Sequence, residues 1–374
     1  MSEFSDKCRA FIEKSNTNVY QISKKSGLDR TMLQKMVKGT KVPSPSFFEK
    51  FCDFLVINKA EKEELEQLFK IERMGRDVYE CRCEIEKLFL DFKNLKVSAR
   101  KSLSDNWMNT EPHFENTLLE KECVMICSET DMIDAIRYIL KEECSNQEKP
   151  HIYMDISNET PYVLNQILKY AETDKKHITC IQFVKFGRST PSHNVTAENI
   201  RSLRMIFPFA VSFPHTYDVY CSYIDGNRQD GNYSVWAHHI VTQSKILLIS
   251  EKGDEGLLID DEGIAGGYIN RMSNMMKSCE KLFSPEDKVA NTEVVDSFEM
   301  QEGGLKVALL EPYYIMFRSA YNELPSNMIC LKEPGLYDAF KDYFTSQMDE
   351  QEIFLLKESY ESFCQCEENI RKIV

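Results

Sequence analysis

The 374-residue sequence contains 13 cysteines but no Cys-x-x-Cys pair, which excludes a paired zinc knuckle and a thioredoxin-type redox motif. Its tightest spacings, Cys81-Arg-Cys83 and Cys364-Gln-Cys366, have neither a second pair nor a nearby histidine to complete a metal clamp. No apolar run approaches the ~20 residues that cross a bilayer. The opening Met-Ser-Glu-Phe-Ser-Asp lacks the basic start and apolar stretch of a signal peptide. With an odd cysteine count, these absences point to a soluble chain in a reducing cytoplasm, with no membrane partner. Signatures of catalysis are missing as well. There is no Gly-x-Gly-x-x-Gly after a strand, no Walker-type lysine loop, no His-Glu-x-x-His and no Gly-x-Ser-x-Gly elbow. The expectation is therefore a protein that is not an enzyme, with no catalytic residue, no metal and no cofactor.

What is present is an uneven distribution of charge. The chain carries a net −14, yet residues 1–59 hold eleven bases against six acids, a surplus of five that leaves −19 for the remainder. Such asymmetry is a mark of a nucleic-acid module joined to something else.

The pattern of apolar residues divides the chain. Residues 5–58 read as five short helices, because Cys8, Phe11, Ile12, Val19, Ile22, Met32, Leu33, Met36, Phe47, Phe48, Phe51 and Leu55 fall at helical spacings. Asn16, Thr17 and Asn18 offer capping oxygens, Gly27 can take the positive φ that ends a helix, Asp29 can cap the next, and Ser46 can cap the one after Pro45. Residues 59–95 contain no proline and one glycine, and form a connector that is one long helix or two broken near Gly75. It either packs on its neighbours or dimerises and carries a signal. Residues 96–118 read as a linker.

From 119 to 374 the expected domain is α/β. Strands at 122–128, 151–157 and 178–186 alternate with helices at 131–144 and 161–171, which implies parallel strands covered by helices. After a helix near 197–204, strands follow in succession at 209–213, 219–224, 233–241, 246–250 and 256–259, the last two as a hairpin around Glu251–Glu255. A helix over 264–283, strands near 294–298 and 305–310, and a helical region from about Tyr337 complete it. The fold class is thus multidomain: an all-α bundle followed by a mixed-sheet α/β domain.

The stretch "VYQISKKSGLDRTMLQKMVKGTKVPS", residues 19–44, resembles the Cro/C1-type helix-turn-helix of phage repressors and the wider xenobiotic-response-element family of bacterial regulators. Ile22 stands at the core aliphatic of the first motif helix, Gly27 at the turn and Leu28 just after it. Leu33 and Met36 form the core of the second helix, and Gly39 precedes the loop to Pro43. Ser23 fills the usual small position, whereas Val37 stands where the family usually carries an acid. The resemblance covers about the first 58 residues. It implies a recognition helix in the major groove of double-stranded DNA, with the preceding helix spanning the backbone. Arg30, Thr31 and Lys35 would then read base edges, with Gln34 beside them. Arginine suits guanine and glutamine suits adenine. Asn18, Tyr20, Lys38, Thr40 and Lys41 would meet phosphates. Operators of two half-sites imply a homodimer.

The second domain offers weaker candidates. His238-His239 is adjacent and, in a strand, would point to opposite faces. Asp260-Asp261-Glu262 reads as a turn before a helix, and "GIAGGYINRM" (263–272) as a helix start whose N–H groups those acids keep from anions. The aromatic stretch 207–224 either fills a core or lines a pocket. The order of elements from Glu122 to Phe283 faintly resembles phospholipase D-like sensor domains of transcription regulators. None of the seven histidines is followed two places on by lysine, as that superfamily's His-x-Lys requires, so hydrolysis is not implied. The expected whole is a DNA-binding transcriptional regulator whose C-terminal domain senses a small-molecule or peptide effector or mediates assembly. The alternatives are an enzyme or an interaction adaptor with its activity in 120–374.

Overall fold

In the computed structural model, the residues described are 2–98, 122–156, 163–164, 166–168, 178–190, 194–212, 216–225, 236–285, 294–300, 305–310, 314–319, 327–331, 334–348 and 353–356. They form two compact units, Met1–Cys83 and Glu84–Val374.

The first unit is all-helical, with α1 (Glu3–Lys14), α2 (Val19–Ser26), α3 (Arg30–Val37), α4 (Pro45–Phe54) and α5 (Lys59–Met74), followed by the start of α6 (Arg76–Ser98). Four helices, rather than five, lie within residues 5–58. The core does not end there, since Leu65 and Phe69 of α5 are buried with Phe4, Cys8, Ile22, Leu33, Met36, Phe48 and Phe51. Phe48 and Phe69 stack with ring centroids 4.1 Å apart. A sequence boundary drawn at residue 58 marks only a well-capped loop. Asn58 and Glu61 there exchange side-chain and backbone bonds in a reciprocal capping box. The connector is two helices, broken at Gly75, whose φ of 88° ends α5. Helix α4 is capped by Ser44 rather than Ser46, because Pro45 occupies the first helical position and needs no N–H partner.

The described residues of the second unit form two sheets. The first has the strand order β1-β7-β6-β5-β2-β3-β4-β8. Its strands are β1 (Cys123–Ile126), β2 (His151–Asp155), β3 (Thr179–Arg188), β4 (Tyr217–Asp225), β5 (His238–Val241), β6 (Lys245–Ile249), β7 (Gly256–Asp260) and β8 (Glu280–Lys281). Pairing is parallel across β2, β3 and β4 and antiparallel elsewhere, so the sheet is mixed. Helices α7 (Glu129–Asn146), α8 (Thr196–Ser212) and α9 (Glu262–Ser278) pack on it. The second sheet is antiparallel throughout, in the order β14-β10-β11-β12-β13-β9. It is built from β9 (Phe283–Pro285), β10 (Val294–Met300), β11 (Leu305–Leu310), β12 (Tyr314–Ser319), β13 (Asn327–Cys330) and β14 (Ile353–Leu356), with α10 (Pro334–Gln347) between the last two.

Several sequence expectations change here. Residues 209–212 continue α8 instead of forming a strand. The helix runs past Pro208 because Ile200, Leu203, Ile206, Phe207 and Ala210 keep one apolar face buried at three- and four-residue steps. The helix expected over 264–283 stops at Ser278, after which β8 and β9 form. The C-terminal region is not helical throughout, because Ile353–Leu356 pairs with β10. Of the helix expected over 161–171, positions 163–164 and 166–168 are helical and the rest lies outside the described residues. The same holds for 99–118 of the linker, for 233–235 of the strand expected there, and for Cys364 and Cys366.

Residues 84–91 of α6 are anchored within the second unit. Phe89 packs on Phe317, Phe340, Tyr343 and Phe344. Glu84, 5% exposed, accepts from Arg204 at 2.7 Å and Lys87 at 3.0 Å, and Arg204 also reaches Asp91 at 2.9 Å. Burial raises the Glu84 carboxyl, but the Lys87 hydrogen bond and the charges of Lys87, Arg201 and Arg204 outweigh it, so the group is held below the ordinary carboxylate value.

Candidate nucleic-acid interface

The turn between α2 and α3 is fixed at both ends. Asn18 caps α2 by accepting from the Gln21 N–H at 2.9 Å, and Asp29 caps α3 by accepting from Met32 at 2.6 Å. Gly27 takes a φ of 73° between them, a conformation glycine adopts without the steric penalty a Cβ would meet. The Ser23 hydroxyl donates to the Leu28 carbonyl at 2.8 Å, which ties α2 to the turn. At the far end of α3, Arg9 donates to the Val37 carbonyl at 3.1 Å and Thr40 N–H donates to Lys35 at 2.9 Å. The Arg9 bond places a cation at the helix C-terminus, where the dipole favours it. The exit of α3 is therefore held without an acid at position 37.

With its ends pinned, α3 has one orientation in the unit. Leu33 and Met36 are fully buried. At about 100° per residue, Arg30, Gln34, Lys38, Thr31 and Lys35 occupy an arc of about 140° on the opposite side. All five are exposed, as are Asn18, Tyr20, Thr40 and Lys41. The nine residues singled out in the sequence thus all lie at the surface of one unit, on α3 and on the segments that enter α2 and leave α3.

Their engagements differ. Asn18 uses Oδ1 for the cap, which leaves its amide donors facing solvent at a helix N-terminus. The Thr40 hydroxyl already donates to the Lys35 carbonyl at 3.2 Å, so as a phosphate donor it would have to trade that bond. Tyr20, 55% exposed, lies under Arg30, with the guanidinium carbon 5.4 Å from the ring centroid. Sequence reasoning missed this pairing, and it also passed over Gln21, Lys24 and Lys25, exposed on α2.

The electrostatic partition is sharper than the charge count alone conveys. Between Asn18 and Ser44 there are six bases, Lys24, Lys25, Arg30, Lys35, Lys38 and Lys41, against the single acid Asp29. Among the described residues none of the six forms an ion pair. Elsewhere in the unit several bases are paired: Lys7 with Glu64, Arg9 with Asp6, Lys14 with Glu61, Lys62 with Asp53 and Arg76 with Glu3. The Lys14 hydrogen bond, with the Asn58 N–H, holds Glu61 below its usual value. Ion pairs thus lie on α1, α4, α5 and α6, and among the described residues none lies on α2, α3 or the loop beyond.

In the second unit the weaker candidates are accounted for by packing. His238 is buried and His239 half-buried on successive positions of β5. The His239 ring meets Tyr268 edge-on at 5.9 Å, and burial lowers its pKa. Asp260 accepts from the buried Lys245 at 2.8 Å, and Asp261 caps α9 through the Ile264 N–H at 2.8 Å. Within 207–224, Phe207, Tyr217, Val219 and Cys221 are core residues. Among the described residues no group of three or more His, Cys, Asp or Glu side chains is placed to hold a metal ion, and no helix is long and apolar enough to cross a membrane.

No family model matches the chain, and no curated protein matches it. Among solved structures, it is similar to TrmBL2, an archaeal chromatin protein described as showing a novel mode of DNA binding. That likeness has 9% identity over 66% of this chain and 86% of that one, with a TM-score of 0.28. A likeness of that depth assigns neither a fold family nor a site.

Proposed function

We propose that this chain is a sequence-specific regulator of transcription that binds double-stranded DNA through α2 and α3 as a homodimer. The observation that carries the reading is the set of six exposed cations on α2, α3 and the loop beyond, none ion-paired among the described residues. A face of this kind releases counterions when it meets phosphates, and α3 presents Arg30, Thr31, Gln34 and Lys35 as the base-reading edge. Lys38 and Lys41, with the Asn18 amide at the α2 N-terminus, serve the backbone. The net −14 of the chain does not oppose this, since DNA within a Debye length of about 8 Å responds to the local face. The acidic remainder lowers non-specific affinity and leaves more of the discrimination to base contacts.

In this reading the chain belongs to the Cro/C1-type regulators and acts in the cytoplasm without a cofactor. Its second unit senses a small-molecule or peptide effector or holds the dimer together, and does not catalyse. The test is retention of genomic DNA fragments by the full chain and by an Arg30→Ala/Lys35→Ala variant. The variant is expected to lose the sequence-selected fragments while keeping weak, salt-sensitive binding.

A further inference from the structure

We infer that Tyr20 is a positioning residue for Arg30, holding its guanidinium ready for a guanine. The inference rests on the DNA-reading role of α3 and adds to it a determinant of specificity on α2. Tyr20 is the second residue of α2 and Arg30 the first of α3, and the ring and guanidinium lie 5.4 Å apart on the exposed face. Both attachment points are fixed, by the Asn18 cap, the Asp29 cap and the Ser23 bond to Leu28.

A free surface arginine loses rotamer freedom on binding a base. One held over an aromatic ring face has surrendered part of that freedom already, while its N–H donors are not consumed by a hydrogen bond to the ring. Those donors match the O6 and N7 acceptors of guanine. No acid competes for them among the described residues, because Arg30 forms no ion pair there and Asp29 is engaged by the Met32 N–H. The role of Tyr20 therefore lies in its ring face rather than in a hydroxyl contact to phosphate.

The experiment is selection from a randomised duplex library with the full chain and four variants: Tyr20→Phe, Tyr20→Leu, Arg30→Ala and the Tyr20→Leu/Arg30→Ala double variant. The wild type should enrich one guanine per half-site, and Arg30→Ala should abolish that preference. Tyr20→Leu should weaken it about two- to fivefold per half-site, the scale of ordering one rotamer-rich side chain on binding, with the loss confined to the guanine position. Tyr20→Phe, which keeps the ring, should retain the preference, and Tyr20→Leu should add nothing in the Arg30→Ala background. Equal losses in Tyr20→Phe and Tyr20→Leu would overturn the inference in favour of a hydroxyl contact. So would a Tyr20→Leu loss spread over all sequences, or an unchanged preference in that variant. A wild-type library without any enrichment would instead refute DNA reading by α3, and this inference with it.

Discussion

Replacing Lys38 and Lys41 by glutamine should flatten the salt dependence of DNA binding, whereas replacing Lys14 should not. The six cations between Asn18 and Ser44, unpaired among the described residues, set a ceiling. If each neutralised one phosphate, the logarithm of affinity would fall against the logarithm of salt with a slope of about −5.4 per protomer. Lys38 and Lys41 stand beyond the base-reading edge, at the C-terminus of α3 and in the loop that follows, so both belong to the phosphate share. Removing them should lower the slope by about 1.8 per protomer, or about 3.6 for a dimer on two half-sites. Lys14 carries the same charge but donates to Glu61 across α1 and α5, and its loss removes no free cation from the α2–α3 face. The assay is fluorescence anisotropy on one labelled duplex across about 50–200 mM salt. Equal slope changes for Lys14→Gln and for Lys38→Gln or Lys41→Gln would show that total charge governs binding and would refute the argument from a segregated face.

Two further outcomes concern stability. Gly39 has a φ of 69°, and a Cβ there would meet the Ser5 hydroxyl at 3.0 Å, whereas Gly27 at 73° has nothing within 4 Å. Gly27→Ala should cost roughly 1–2 kcal/mol from the left-handed backbone alone, and Gly39→Ala more than that, as read by chemical denaturation of the full chain. The depressed Glu84 carboxyl contributes stability that is complete above its unfolded value of about 4.3. That contribution is lost as pH falls through the lower folded value. Melting followed from pH 6 down to pH 3 should therefore show a steeper acid loss in the wild type than in Glu84→Gln.

The first unit was legible because its signals are local. Asn18, Asp29 and Gly27 act within four residues of their own positions, and Leu33 and Met36 fix the face of α3 by periodicity. What the sequence hid there is tertiary: α5 looks like part of a connector until Leu65 and Phe69 are seen in the same core as Phe4 and Phe48. In the second unit the strand-and-helix alternation through β3 is readable. The strand expected from 209 was not there to be read, because the helix-breaking tendency of Pro208 is outweighed by the burial of Ile206, Phe207 and Ala210 on its flanks. The antiparallel sheet was only partly legible, because β9 and β14 are short strands that exist through partners far along the chain, Ile329 for Phe283 and Phe298 for Leu355. The face of Tyr20 on Arg30 was invisible for the same reason, being a contact between two helices ten residues apart.

The most direct measurement is capture of sheared genomic DNA on the immobilised full chain, followed by sequencing of what is retained. The wild type should enrich a small set of fragments sharing a two-fold motif with half-sites about one helical turn apart. The Arg30→Ala/Lys35→Ala variant should retain DNA without that motif. Retention of the same fragments by the variant, or no enrichment by the wild type, would contradict the assignment of α3 as the helix that reads DNA.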